Sequence, residues 1–251
     1  MLSAVVLTKK IETKNFKRCL KSLDFVDEII VVVDKENIKY LNQQSKIKIF
    51  YNHFNNNFSD QRNFGMAKAK GDWILFLDDD EEITYQLKKE IIKALKSDHK
   101  HFAYYIKRRD FFWGREVFFG ELKKARNNGI IRLVKKNSGC WHGSVHEEFK
   151  LNSNQYLISR FSGFINHYPH QTLKEFINDI NFYSSLRAEE LKTIGKKTNI
   201  FEIIFFPFFK FILTYFIYLG FLDGPVGFVY SFMMSFHSFL VRAKLYLMTN
   251  N

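Results

Sequence analysis

The chain has 251 residues, 46% of them hydrophobic, and a formal net charge of +12. This length suits one large α/β domain or a domain with a substantial appendage, and the charge predicts an anionic partner: nucleic acid, an acidic membrane face or a phosphorylated substrate. Two cysteines far apart in the chain, Cys19 and Cys140, argue against a disulfide framework or a zinc site and fit reduced thiols in the cytoplasm.

The first eighty residues alternate strand-like and helical patterns. The predicted strands are 4–7, 28–33, 47–51 and 73–77, and the predicted helices are 15–23 and 60–70, the second capped by Ser59 and closed by Gly71. Such alternation with short connections predicts a parallel sheet with right-handed crossovers. Ligands of open parallel sheets lie at the carboxyl ends of the strands, which is where Thr8, Asp34 and Asp78 fall.

The run from Trp73 to Glu82 is the most informative segment, because an apolar strand leads directly into five carboxylates. Packed carboxylates repel one another, and a divalent cation with oxygen ligands would relieve that repulsion. The alternative is a helix N-terminus, in which Thr84 caps a helix to about Lys96 and the acids lie near its positive end. One run can serve both purposes, so the pattern leaves both interpretations open.

After Lys96 the chain becomes rich in β-prone residues. Strands of a mixed sheet are predicted at 102–108, 111–113, 130–134 and 156–161, with a polar, histidine-rich stretch at 141–148 between them. Thr172 and Glu175 form a capping box for a helix to about Leu191. No GxGxxG or GxxxxGK[ST] motif occurs, which argues against a dinucleotide enzyme or a P-loop enzyme.

The last fifty residues are strongly apolar. Residues 200–222 contain only Glu202 and Lys210 as charges and are interrupted by Pro207, and residues 226–241 contain no charged side chain. We expect two helices lying in a membrane interface, with flanking lysines and arginines toward anionic lipid; a buried helical hairpin is the alternative. The predicted organisation is therefore a catalytic domain, 1–198, and a hydrophobic helical segment, 199–251.

Several motifs, in this order and spacing, resemble the family 2 glycosyltransferases. Those similar to the nucleotide-sugar half of the family are Leu7-Thr8-Lys9, Phe25 to Asp34, Phe58 to Asn63 and Gly71 to Glu81. Those similar to the branch with the lipopolysaccharide-core β-glucosyltransferases are Val145-His146-Glu147, Asn166-His167-Tyr168, and Gly220 to Gly224 with Gly227-Phe228. The resemblance covers nearly the whole chain.

The resemblance implies a GT-A fold: an α/β, Rossmann-like and mostly parallel nucleotide-binding sheet, mixed acceptor-side strands and a C-terminal helical membrane-associating segment. It implies that Asp34 contacts the base or ribose of the donor, at the same strand ends as Thr8. Asp78 and Asp80 would form the Asp-x-Asp pair that holds Mg²⁺ or Mn²⁺, with Asp80 the more direct ligand and Asp78 nearer the ribose. Arg62 would lie beside the donor.

The resemblance also places the general base at Glu147. Glu148 is a weaker candidate, because in a strand it would point the opposite way. His146 and His167 are weaker candidates too, since a histidine beside an aromatic ring is more often packed or hydrogen-bonded than bound to a metal. The chain departs from the family at two places near the nucleotide end, with Lys35-Glu36-Asn37 after Asp34 and Lys10-Ile11-Glu12 after Lys9.

The implied reaction is inverting, metal-assisted transfer of a hexose to a hydroxyl of a cell-envelope glycan such as the lipopolysaccharide inner core. Glucose, from UDP-glucose, is the first candidate for the hexose. The expected partners are a UDP-hexose, a glycolipid or lipopolysaccharide-core acceptor and the anionic inner face of the cytoplasmic membrane, where the protein would be peripheral. No nucleic acid is expected, since no nucleic-acid-binding motif occurs. Two other classes remain: a metal-dependent phosphohydrolase or nuclease, and a non-catalytic membrane-binding module.

Overall fold

The computed structural model of the protein describes residues 1–34, 46–97, 100–144 and 147–250. The chain divides into two compact units. Unit 1 contains Met1–Arg109 and Asn127–Tyr168, and unit 2 contains Asp110–Arg126 and Pro169–Asn251. The boundary between residues 198 and 199 is a different one: it marks where the predicted membrane-associating segment begins, and it stays a prediction.

Unit 1 is built on a mixed β-sheet. The strands of the chain are β1 (Leu2–Thr8), β2 (Glu28–Val33), β3 (Ile47–Tyr51), β4 (Trp73–Asp78), β5 (Glu81–Ile83), β6 (His101–Phe112), β7 (Arg115–Val117), β8 (Ile130–Lys135), β9 (Gly139–His142), β10 (Glu148–Leu151) and β11 (Leu157–His167). The sheet order is β3-β2-β1-β4-β8-β6-β11-β5, and the first four of these strands are parallel. The pairs β4–β8, β6–β8 and β5–β11 are antiparallel, and β9 pairs with β10 separately. A parallel nucleotide-type half extended by mixed strands is the predicted arrangement.

The predicted helices of unit 1 are present, with corrections at both ends of the second, which ends at Lys68 with Ala69 as its C-cap and is not closed by Gly71. They are α1 (Lys14–Ser22), α2 (Phe58–Lys68) and α3 (Tyr85–Ser97). The Ser59 cap is wrong: Asn57 caps α2 by accepting from the N–H of Asp60, and the Ser59 hydroxyl donates to the Gly143 carbonyl instead. Thr84 does precede α3, and its hydroxyl accepts from Leu87 at 3.4 Å. The acids before it are not in the first helical turn, because residues 81–83 form β5.

Apolar side chains cover both faces of the sheet in unit 1. Val6 of β1 packs in one layer with Phe16 of α1 and Leu87 of α3. Its neighbour Val5 packs in the opposite layer with Trp141 of β9. Successive strand residues point to opposite faces. The two layers bury β1 and β2 almost completely, whereas the edge strand β3 is only partly buried. Burial of each aliphatic side chain stabilises the fold by about 1.5–3 kcal/mol.

Unit 2 is mainly helical. It contains β7, the 3-10 helix Gly120–Leu122, most of α4 (Lys123–Asn128), α5 (Leu173–Thr193), α6 (Ile200–Ile212), a π-helical turn Leu213–Ile217, the 3-10 helix Gly220–Asp223 and α7 (Gly224–Asn250). The predicted capping box is confirmed, since Thr172 accepts from the N–H of Glu175 at 3.1 Å. Helices α5 and α6 both pack against α7, and Phe176 of α5 and Tyr230 of α7 belong to one buried apolar cluster.

The motif at residues 220–227 organises the tip of the α6–α7 hairpin. The Asp223 carboxylate accepts from the backbone N–H groups of Phe118 and Phe119, so it ties the segment after β7 to the hairpin. A Cβ at Gly227 would lie 1.9 Å from the carbonyl oxygen of Gly220. Gly227 therefore has a packing role, because only a residue without a side chain permits this close approach.

The C-terminal helices expose much of their apolar surface. By length and composition alone, the segments Ile200–Ile217 and Gly220–Asn250 are long and apolar enough to cross a membrane. Only 11% of the first apolar window is buried, whereas the core helix of a soluble protein is mostly buried. This low buried share favours the interfacial prediction over a buried hairpin for α6, and 33% of the apolar window of α7 is buried.

Candidate functional site

Three parallel strands of unit 1 bring polar side chains to one edge of the sheet. Thr8 ends β1, Asp34 follows β2, and Asp78 ends β4. The register pairs Leu7 with Asp78 and Thr8 with Val33, so the three strand ends are level. The sequence prediction that these residues share the carboxyl edge of the sheet is confirmed in its geometry.

Two arginines hold the carboxylate of Asp78. The Nη2 atom of Arg62 lies 2.8 Å from Oδ1, and the Nη2 atom of Arg132 lies 2.8 Å from Oδ2. Burial by itself raises the pKa of Asp78, but the positive charges of Arg62 and Arg132 outweigh it and hold that pKa well below its usual range. Asp78 therefore stays ionised, with each of its oxygens already paired.

Arg132 also contacts Glu81, which is completely buried. Its Nη2 atom lies 3.0 Å from Oε1 of Glu81, and Oε2 of the same carboxyl accepts from the N–H of Asp78. Burial raises the pKa of Glu81, Arg132 opposes that effect, and the negative charge of Asp78 adds to it. Arg132 was not predicted as a site residue. The available signal was a single charge inside the apolar strand β8.

Arg62 joins Asp78 to the predicted base. Its side chain is only 2% exposed, and its Nε and Nη2 atoms lie 2.8 and 3.0 Å from the two oxygens of Glu147. Its guanidinium also lies over the ring of Trp141, 5.0 Å from the centroid. Burial lowers the pKa of Arg62, and the charges of Asp78 and Glu147 more than reverse this. From the sequence we expected Arg62 to lie beside the donor. In the structure it is paired with the carboxylates of Asp78 and Glu147.

The two neighbouring glutamates have different surroundings. The side chain of Glu147 is 15% exposed and engaged by Arg62. Glu148 begins β10 and is exposed, while the next residue, Phe149, is buried. This alternation supports the expectation that Glu148 points away from the site. His146 lies outside the described residues.

Asp80 has one paired and one unpaired oxygen. Its Oδ2 atom lies 3.3 Å from Nε2 of His167, whereas its Oδ1 atom is buried and has no hydrogen-bond partner. A buried carboxylate oxygen without a partner is costly and fits a hard divalent cation. Within the described ranges, no group of three or more His, Cys, Asp or Glu side chains is arranged to hold a metal ion. A cation at Asp80 would therefore depend on further oxygens from the donor and from water.

Asp79 lies between the predicted pair and binds Thr8. The Thr8 hydroxyl donates to Oδ2 of Asp79 at 2.5 Å. Burial raises the pKa of Asp79 to about 7; the hydrogen bond from Thr8 opposes this shift, and the charges of Asp80 and Asp78 add to it. Thr8 thus touches the acidic run directly.

Asp34 contacts a neighbouring loop of unit 1. Its Oδ1 atom accepts from the N–H of Phe54 at 2.6 Å and lies 3.7 Å from Nδ1 of His53. Its side chain is 35% exposed, which leaves a partly open carboxylate at the end of β2. The departure from the family at Lys35-Glu36-Asn37 lies outside the described residues.

The raised pKa of Asp79 makes the stability of the protein depend on pH. The folded state favours the protonated form of Asp79. Its contribution to the free energy of unfolding is therefore complete below about pH 4 and is lost as the pH rises through about 7. The measurement is the free energy of unfolding in urea without divalent cations. As the pH rises from 5 to 8, we expect this free energy to increase by about 1–4 kcal/mol in Asp79→Asn relative to the wild type. Asp60→Asn, at an exposed carboxylate of α2, should parallel the wild type. Parallel curves for Asp79→Asn as well would contradict the assignment.

Comparison with known proteins gives a consistent result. The sequence model of glycosyl transferase family 2 matches residues 4–147. An uncharacterised glycosyltransferase of Rickettsia typhi is 28% identical over 97% of this chain and 86% of its own length. The lipopolysaccharide core biosynthesis glycosyltransferase LpsC of Rhizobium meliloti is 23% identical over 91% of this chain and 86% of its own length.

The fold has a counterpart among solved structures. The crystal structure of S. aureus TarS 1-349 in complex with UDP-GlcNAc superimposes with a TM-score of 0.50 at 17% identity, covering 92% of this chain and 79% of that one. At this identity the likeness concerns the fold alone. Together with the family match, it confirms the predicted GT-A type fold.

Proposed function

The chain belongs to glycosyl transferase family 2, and on that basis we propose that it transfers a hexose from a nucleotide diphosphate sugar to a hydroxyl of a cell-envelope glycan, with inversion. One observation carries the proposal: Thr8, Asp34 and Asp78 lie at the level ends of β1, β2 and β4 within the matched region, and Asp80, just after β4, has an unpaired oxygen. A phosphohydrolase or a membrane-binding module would not account for the family match.

The proposed donor is a UDP-hexose, and UDP-glucose is the first candidate. The solved TarS structure holds UDP-GlcNAc on a similar fold, which supports a uridine nucleotide without specifying the sugar. The similarity to LpsC supports an acceptor of the lipopolysaccharide core type. Asp34 and Thr8, at adjacent strand ends, are the residues we propose for the nucleoside side of the donor.

We place direct coordination of Mg²⁺ or Mn²⁺ on Asp80, whose Oδ1 atom is unpaired. We keep Asp78 as the other member of the Asp-x-Asp pair, near the ribose of the donor. Its two oxygens already accept from arginines, so it would act on the metal mainly through its negative charge. The cation would stabilise the charge that develops on the departing diphosphate. The remaining ligands would be phosphate oxygens and water.

Glu147 is the proposed general base. An ionised carboxylate has about four lone-pair sites, so the two hydrogen bonds from Arg62 leave sites for the proton of an acceptor hydroxyl. These bonds also fix the orientation of the carboxylate, which is how positioned bases are held in enzyme sites. Arg62 is therefore a positioning residue, a more specific role than the anion contact expected from the sequence. Glu148 and His167 stay lesser candidates.

The proposed location is the cytoplasmic face of the membrane. The basic net charge and the exposed apolar surface of α6 and α7 support attachment to anionic lipid. A lipid-linked acceptor would lie in the same place.

Nucleotide-dependent thermal stabilisation tests the donor site. We expect UDP with Mn²⁺ to raise the melting temperature, because a ligand at 100 times its Kd stabilises the folded state by about 2.7 kcal/mol. Asp80→Ala should remove the metal-dependent part of this shift, and Glu12→Ala, at an exposed carboxylate, should retain it. Equal responses to UDP, single-stranded DNA and inorganic phosphate would contradict the proposal. A panel of nucleotide sugars assayed for metal-dependent transfer would then identify the hexose.

A further inference from the structure

Unit 2 has an exposed apolar face formed by two helices. We define it by Phe201, Ile204, Phe205 and Phe208 of α6 and by Phe228 and Phe232 of α7, which are between 47% and 68% exposed. The α6 members have the spacing i, i+3, i+4 and i+7, so they lie on one side of the helix. Soluble monomers rarely expose contiguous apolar surfaces of this kind without a partner.

The two charged side chains of α6 are both attached to other parts of unit 2. Lys210 forms an ion pair with Glu121 in the 3-10 helix after β7. Near the other end, Glu202 accepts from the hydroxyl of Thr198. Both charged residues of α6 are therefore held by groups within unit 2, while Phe206 and Phe209, which the definition of the apolar face leaves out, are also 46% and 60% exposed.

Helix α7 is fixed to a helix that cannot enter hydrocarbon. Lys244 of α7 donates to Asn181 and Ser184 of α5. Helix α5 has seven charged side chains in the segment LKEFINDINFYSSLRAEELKT. Charged residues in the bilayer centre are costly, so α7 could cross a membrane only by separating from α5 or by taking those charges with it.

The groove between the two helices continues the apolar face. It has a volume of about 260 Å³ and is lined by residues that include Ile204, Pro207, Phe232 and Phe239. The carbonyl of Pro207 accepts from Ser235 at 2.7 Å, so the polar groups at this crossing satisfy each other. The groove is open and apolar, which suits flexible acyl chains.

We propose that the apolar face inserts into a single leaflet of an anionic bilayer, with α6 and α7 lying in the interface and neither helix crossing it. This deepens the membrane location within the proposed function and does not depend on the sugar or the acceptor. Lys196 and Lys197, in the exposed link before α6, lie at the edge of this face and match anionic headgroups. Charge complementarity favours lipid over a second copy of the chain, which would bring the same positive charges together.

Vesicle partitioning tests the surface. We expect Phe201→Asp/Phe208→Asp to lower binding of the full chain to phosphatidylglycerol-phosphatidylcholine vesicles by roughly tenfold or more. The matched control is Tyr85→Asp/Leu157→Asp, at exposed apolar residues of unit 1, and it should bind as the wild type does. If both double variants bind like the wild type, or if the first variant only converts a dimer to a monomer in light scattering, the proposal is overturned.

Labelling on sealed vesicles tests whether the hairpin crosses. In a Cys140→Ser background, where Cys19 is buried, Lys196→Cys marks the chain before α6 and Leu222→Cys marks the turn between α6 and α7, where Leu222 is 54% exposed. Single-leaflet insertion predicts that a membrane-impermeant maleimide labels both without detergent. Protection of one site until detergent is added would mean that α6 spans and would overturn the proposal. Stabilisation by UDP with Mn²⁺, measured on the same variants, reports separately on the proposed catalytic function.

Discussion

Replacement of Glu147 by glutamine is expected to lower the transfer rate by about 10²–10⁴-fold, the usual contribution of a general base. The amide oxygen can still accept one of the two hydrogen bonds that Arg62 donates at 2.8 and 3.0 Å, whereas the amide nitrogen cannot accept the other. Binding of UDP with Mn²⁺ should remain. The measurement is kcat for transfer from the identified nucleotide sugar, together with the thermal shift caused by UDP.

Glu148→Gln is the matched control, because Glu148 is the adjacent carboxylate and is exposed on β10. It should keep activity within a few-fold of the wild type. The kinetic constants separate a base from a group that only binds the donor: Glu147→Gln should lower kcat with little change in KM for the nucleotide sugar, and Glu148→Gln should change neither by more than a few-fold. Full activity in Glu147→Gln would contradict the assignment of Glu147 as the general base.

Arg132→Met is expected to destabilise unit 1 by about 3–5 kcal/mol, the usual effect of removing one partner of a buried ion pair. The guanidinium of Arg132 contacts both Asp78 and Glu81. Its loss leaves the two carboxyls close together, with Arg62 beside Asp78 and Arg108 at 3.9 Å from Glu81 as remaining counter-charges. The measurement is the free energy of unfolding in urea near pH 7.

The double variant Arg132→Met/Glu81→Gln removes one of the uncompensated carboxyls and should recover part of the lost stability. Arg160→Met replaces an exposed arginine of β11 and should change the free energy of unfolding by less than about 1 kcal/mol. If Arg132→Met and Arg160→Met have equal, small effects, the pairing with Asp78 does not contribute as the structure suggests.

Much of the fold could be predicted from the order of the residues. The apolar strands of the first eighty residues, the capped helices after Thr84 and Thr172, and the polar groups at strand ends are all local signals, and the structure has them. Predictions failed where two local signals compete. Ser59 and Asn57 are both good helix caps, and the contact of Ser59 with Gly143, 84 residues away, decided between them.

The composition of the tail predicted apolar helices, but it could not tell a buried hairpin from an exposed one. The position of each helix relative to its neighbours decides that question. Ile203 of α6 is buried and Ile204 is 58% exposed, although they are adjacent and chemically identical.

By itself, the sequence determined a parallel sheet that presents Thr8, Asp34 and the acidic run at one edge, because strand periodicity and chain direction are local properties. Only the tertiary structure decided which charges neutralise that run. Arg62 and Glu147 are 85 residues apart, and Arg132 and Asp78 are 54 residues apart. Such pairs form because folding buries both partners in the same small volume, where an unpaired charge is costly, and no pattern within a single segment encodes that choice.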